Sequence, residues 1–147
     1  MERPILKPLG TPTENLDTPA LILDLDTLDN NLHIVHSSLN NKDVKLRPIV
    51  SIHGCPTLAH MQMRAGNTVG GIQVATLGQA EIFFKSGITD ILITQPIVTP
   101  EKLNRLCMLA KTCNVTVTID NSDSLKDLSL SASINKVNLG VLILIHT

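Results

Sequence analysis

Leu46-Arg47-Pro48-Ile49-Val50-Ser51-Ile52-His53-Gly54-Cys55-Pro56 reads as the end of a β-strand, a short loop and the first turn of a helix. Residues 44–52 are the strand. Pro48 would fit a central ladder poorly, because it has no N–H to donate. Pro56 falls near the first turn of a helix, where a missing N–H is harmless. In α/β proteins such strand-to-helix junctions carry the chemistry. This one brings together a guanidinium (Arg47), a hydroxyl (Ser51), an imidazole (His53) and a thiol (Cys55).

Downstream, the alternation continues. Residues 56–65 predict a helix with Leu58, Met61 and Ala65 on its apolar side, stopped by Gly66-Asn67. Residues 70–75 predict a strand. Thr76 then caps a helix over 77–86, with Gln79 completing a capping box and Gly87 closing it. A strand over 90–94 follows, then a helix opened by Thr99-Pro100 and running to Lys111 with Leu103, Leu106 and Ala110 on one face. Residues 115–119 alternate Val and Thr as a strand. Asp120-Asn121-Ser122 starts a helix to about Ser131, and residues 139–145 form a last strand. Upstream, residues 40–43 are a turn cluster. Asp26 or Thr27 caps a helix whose buried stripe is Leu28, Leu32, Val35 and Leu39. Residues 20–25 read as the first strand, and residues 1–16, with three prolines, as an extended arm. About five strand–helix repeats with short connections argue for a parallel sheet with helices outside it. A doubly wound sheet and a (β/α)8 barrel both give this pattern. There is no Gly-x-Gly-x-x-Gly after the first strand and no Walker motif, which argues against nucleotide binding.

Composition excludes several classes. At 147 residues the chain is one ordinary domain, and 43% apolar content argues against disorder. A formal net charge of −1 gives no case for nucleic acid or an anionic membrane. Phe83 and Phe84 are the only aromatics, so no base-stacking surface is expected. The longest apolar run, residues 141–145, is far too short to span a bilayer, and no signal-peptide pattern opens the chain. Cys55, Cys107 and Cys113 form no Cys-x-x-Cys pair and are expected as reduced, cytoplasmic thiols. Cys55 reads as a helix-start residue, since no activating base is evident. Asn114-Val115-Thr116 is a chance sequon in a chain without a secretory signal. His33 and His36, three apart on a helix, lack a third ligand and are expected on a solvated face.

Several stretches resemble one family. The central segment resembles the Arg-Pro-His-x-Lys-Thr-His-Lys-Cys-Pro motif of the D-threonine aldolase and D-serine dehydratase-like enzymes. These are fold-type III pyridoxal-phosphate enzymes, related to the N-terminal domain of alanine racemase. Residues 17–26 (Asp-Thr-Pro-Ala-Leu-Ile-Leu-Asp-Leu-Asp), 74–81 (Val-Ala-Thr-Leu-Gly-Gln-Ala-Glu) and 87–93 (Gly-Ile-Thr-Asp-Ile-Leu-Ile) are similar to further family segments in the same order. So are 98–103, 117–121 and 140–147. The resemblance covers nearly the whole chain from Asp17.

The resemblance implies an α/β fold: a partial (β/α)8 barrel of about five units over residues 17–147, preceded by the arm at 1–16. It implies pyridoxal phosphate as cofactor, a D-hydroxy amino acid as substrate, and a lyase reaction. Arg47, Pro48, His53, Cys55 and Pro56 keep the family pattern. Ser51 stands where the family has its Schiff-base lysine, Ile49 where it has its first histidine, and Gly54 where it has its second lysine. His146 replaces an aspartate. A hydroxyl forms no imine with an aldehyde, so no catalytic residue is assigned and the chain is expected to be inactive alone. Lys45 precedes Ser51 on the same strand by about 20 Å and does not substitute for the missing amine. Arg47 and His53 are the candidate vestigial cofactor contacts, and Arg47 reads equally well as a strand-end cation paired with a carboxylate. The family's phosphate cradle and metal ligands are expected beyond Thr147, so no metal site is expected in this chain. Unpaired strand edges favour self-association. The alternative reading is a non-catalytic α/β module that binds a protein partner through its open edge.

Overall fold

The structure, a computed structural model, describes residues 5–145; the start of the arm, His146 and Thr147 lie outside the described residues. After a single 3-10 turn at Thr13–Asn15, the order is α1 (Leu25–Ser37), α2 (Pro56–Arg64), β1 (Ile72–Val74), α3 (Leu77–Lys85), β2 (Asp90–Ile93), α4 (Pro100–Ala110), β3 (Asn114–Ile119), α5 (Ser122–Asn135) and β4 (Gly140–Ile143). The four strands form one parallel sheet in the order β1-β2-β3-β4. A doubly wound sheet reverses its strand order at a switch point. This sequential order does not, and is that of a barrel segment.

Residues 46–50 extend the sheet beyond β1 through bridges from Leu46 to Thr68 and from Ile49 to Gln73. The Leu46 N–H donates to the Asn67 carbonyl at 2.8 Å and the Val50 N–H to that of Gln73 at 3.0 Å. Between the two bridges this segment advances three residues while its partner advances five. The partner therefore bulges at residues 69–71, with Gly70 at φ +81°. Pro48 sits inside the interruption, where the ladder asks for no N–H.

Side chains divide the sheet into two faces. Val50, Ile72, Val74, Ile91, Ile93, Val115, Val117 and Ile119 are buried against helical residues including Ala59, Ala80, Phe83, Leu103, Leu106 and Leu128. The alternate positions, among them Arg47, Ile49, Gln73, Thr94, Thr116, Thr118 and Leu142, point the other way and stay at least partly exposed. Helix caps fix where each repeat turns. Asp24, Thr76, Thr99 and Asn121 each accept a backbone N–H from the first turn, and Gln79 completes the capping box of α3.

Several expectations are corrected. Residues 20–24 are not a strand, and Leu21 and Ile22 are exposed. An apolar run becomes a strand only where a neighbour takes its N–H and C=O groups, and among the described residues none does. Helix α1 starts earlier, capped by Asp24. His36 is buried rather than solvated, at 2% exposure, while Val35 of the expected stripe is exposed. The inward face of α2 is Ala59, with Met63 beside it, and Ala65 is exposed. Helix α5 runs to Asn135 and is closed by Lys136 in the left-handed region at φ 55°. Among the described residues the barrel does not close, since β4 pairs only with β3 and residues 46–50 only with the segment 67–73.

Candidate functional site

Ser51 lies at the strand-to-helix junction, one residue beyond the edge segment and five before α2. The turn that follows is tight: the Gly54 N–H donates to the Val50 carbonyl at 2.9 Å, and Gly54 takes φ +61°. His53 spans this turn. Its Nδ1 accepts the Cys55 backbone N–H at 3.1 Å, so the proton sits on Nε2, which donates to Gln62 Oε1 of α2 at 3.2 Å. Cys55 is the N-cap residue of α2, with no side-chain cap bond, and the imidazole does part of that work. Both nitrogens of His53 are thus committed to starting α2.

Arg47 is engaged elsewhere. Its side chain lies toward the amino ends of the strands, where Nη1 donates to the Ile72 carbonyl at 3.2 Å and pairs with Asp90, the first residue of β2. The other carboxylate oxygen of Asp90 accepts from Asn114 Nδ2 at 2.8 Å. This row ties the edge segment to β2 and β3. Gly71 lies beneath it, and a Cβ there would strike both the Asp90 and Arg47 side chains. Of the two readings of Arg47, the structure shows the strand-end cation paired with a carboxylate. Sequence reasoning missed Asp90, Asn114 and the packing role of Gly71; Gly70-Gly71 looked like a plain strand start.

The predicted residues are therefore not brought together. Arg47 and His53 flank Ser51 from opposite ends of the edge segment. A 150 Å³ cleft at the carboxyl ends of β1 and β2 is lined by Thr76, Gly78, Gln95, Lys102 and Arg105 among others, and includes none of the three. The Arg105 guanidinium there is held by Glu81 at 2.9 and 2.5 Å, which raises its pKa. Among the described residues no His, Cys, Asp and Glu side chains gather into a metal-binding group, and no helix is long and apolar enough to cross a membrane. Burial raises the Cys107 thiol and pushes that of Cys113 up to about 11, with the Asp90 charge adding to the latter.

No protein-family model matches the chain. Over 120 residues it is 36% identical to a D-threonine aldolase of an Arthrobacter species, covering 82% of this chain and 31% of that protein. The solved structure of D-threonine aldolase from Filomicrobium marinum matches with a TM-score of 0.84 at 37% identity, over 89% of this chain and 35% of the other. An alanine racemase-like protein of Idiomarina loihiensis matches with a TM-score of 0.78 at 25% identity, over 90% and 35%. The chain spans about a third of the length of these relatives.

Proposed function

We propose, from the premise that this chain is a homologue of D-threonine aldolase, that it is an N-terminal portion of a cytoplasmic, pyridoxal-phosphate-dependent lyase fold for D-hydroxy amino acids, without turnover of its own. Residues 17–147 are its partial barrel domain and 1–16 its arm. The observation that carries the reading is Ser51 at the strand-to-helix junction, where the resemblance calls for an amine.

The residues around Ser51 do not fit the cofactor. Its aldehyde needs an amine, and Ser51 offers a hydroxyl. Arg47 and His53, the two retained polar groups, already have protein partners. Ile49, on the same face two residues before Ser51, is apolar and 46% exposed. The test is the visible spectrum after adding pyridoxal phosphate, followed by borohydride and mass spectrometry. No stoichiometric adduct is expected, nor any release of glycine from D-threonine. An adduct on a single lysine would overturn the reading.

A second reading is a module that works through its open sheet edge. The segment Gly140–Ile145 carries no charge and no proline, the usual protections of an edge strand.

A further inference from the structure

We propose that helix α1 is a strap: His36 and Asn67 latch it to the turn after α2, and it opens and closes as a unit while the core stays folded.

The latch stands apart from the hydrophobic core. That core begins at Val50, and no residue of α1 belongs to it. Along α1, Leu28, Leu32 and Leu39 are half-buried, Ile34 and Val35 are exposed, and His36 is buried. Among the described residues His36 is the one buried polar side chain. The turn that meets it is left-handed at two successive positions, Gly66 at φ +92° and Asn67 at φ 52°. That backbone aims the Gly66 carbonyl and the Asn67 side chain at the end of α1. A carbonyl only accepts, so His36 Nδ1 carries the proton and donates to Gly66 at 2.5 Å. The Asn67 amide donates in return to the His36 carbonyl at 2.8 Å and to Asn40 Oδ1 at 2.7 Å. Among the described residues, the hydrogen bonds from residues 5–43 to the rest of the chain all end at Gly66 or Asn67. No ion pair crosses that division among them.

Opening therefore gives up few apolar contacts, and the elements left behind keep theirs. Segments held in this way open locally, at less than the global free energy. At 13 residues, α1 is marginal as a free helix in water, so its amides exchange once the latch lets go. The Asn67 carbonyl separately accepts the Leu46 N–H at 2.8 Å. That bond is made by the main chain, so the edge segment stays in place when the side chain releases α1.

Hydrogen exchange of the 147-residue chain, read by mass spectrometry where rates report opening equilibria, tests this. Amides of α1 should be protected, yet exchange about a hundredfold faster than those of α3 and α4. Asn67→Gly keeps the left-handed turn and removes only the amide. It should speed α1 about tenfold and leave α3, α4 and α5 at their wild-type rates. His36→Phe keeps a ring and removes the donor to Gly66, and should speed α1 alone by about fivefold. Ile91→Val, in the core, should do the converse: about fivefold faster exchange in α3 and α4, with α1 unchanged. Should Asn67→Gly fail to fold, His36→Phe and Ile91→Val decide the matter. The proposal is overturned by an unprotected α1 in the wild type or by α1 rates equal to those of the core. It is equally overturned by latch variants that speed every element alike or none, or by Ile91→Val speeding α1 together with the core.

Discussion

The two faces of the sheet are built from the same strands and have opposite fates. On the helix-covered face, Val50, Ile72, Val74, Ile91, Ile93, Val115, Val117 and Ile119 meet α2–α5 in one continuous core. On the open face, Arg47, Asp90 and Asn114 form a polar row over Gly71, and Ile49 and Leu142 stand half exposed. One strand edge serves both through side-chain alternation. The covered face holds the fold together, and the open face carries the polar row; under the reading proposed above, the junction at Ser51 is where the resemblance calls for an amine.

The sharpest separation of the faces is a pair of truncations. Leu106→Ala removes a fully buried side chain on the covered side and should cost about 3 kcal/mol by urea denaturation. Ile49→Ala on the open face should cost about 1 kcal/mol. Equal losses would mean that the open face is packed in solution. Gly71→Ala probes the polar row from below: its Cβ would collide with Asp90 and Arg47, and about 2 kcal/mol is expected. A neutral result would show that the row is loosely held.

Effects near 1 kcal/mol come from the covered side again. Thr76→Ala removes the N-cap of α3 and its capping box, for about 1 kcal/mol. Cys113 gives a pH signature. Its folded pKa is raised from 9.0 to about 11 by burial, so its stabilising effect is complete below pH 9 and is lost as pH rises toward 11. The unfolding free energy of wild type should fall between pH 8 and pH 10 by about 1 kcal/mol more than that of Cys113→Ala. Parallel curves for the two proteins would place the thiol in a solvated setting.

Local signals carried much of this architecture. Thr76 with Gln79, Thr99-Pro100 and Asn121 announce helix starts, and the Val/Thr alternation of β3 announces its two faces. Long-range pairing was not legible. Asp90 lies 43 residues from Arg47, and only the register of three strands brings them together. His36 looked like half of a surface pair with His33. It is buried because its Nδ1 reaches the Gly66 carbonyl at 2.5 Å, while the Asn67 amide donates to the His36 carbonyl at 2.8 Å. Residues 20–24 have strand composition and no partner. The reading of Ser51 comes from the motif alone, because comparing residue types at one position needs no geometry.

The smallest expected effect is that of Ser51→Lys, which should leave lyase activity at the level of free cofactor. The substitution puts an amine at the strand end, and an amine alone is a small part of such a catalyst. The cofactor ring must also be held so that the bond to be broken lies across its π-system. The groups nearest in sequence are not available for that. His53 has one nitrogen accepting the Cys55 N–H and the other donating to Gln62, so recruiting it would uncap α2. Arg47 is held at the far end of the segment by Asp90 and the Ile72 carbonyl. Ile49 adds an apolar neighbour, with no hydrogen bond or charge to tune the new lysine. Such an amine keeps a high pKa and captures aldehydes weakly and without selectivity. The measurement is glycine release from D-threonine with pyridoxal phosphate and a divalent metal present, for the variant, the wild type and cofactor alone. Turnover by Ser51→Lys clearly above free cofactor would mean that the open face supplies more of the site than its hydrogen bonds indicate.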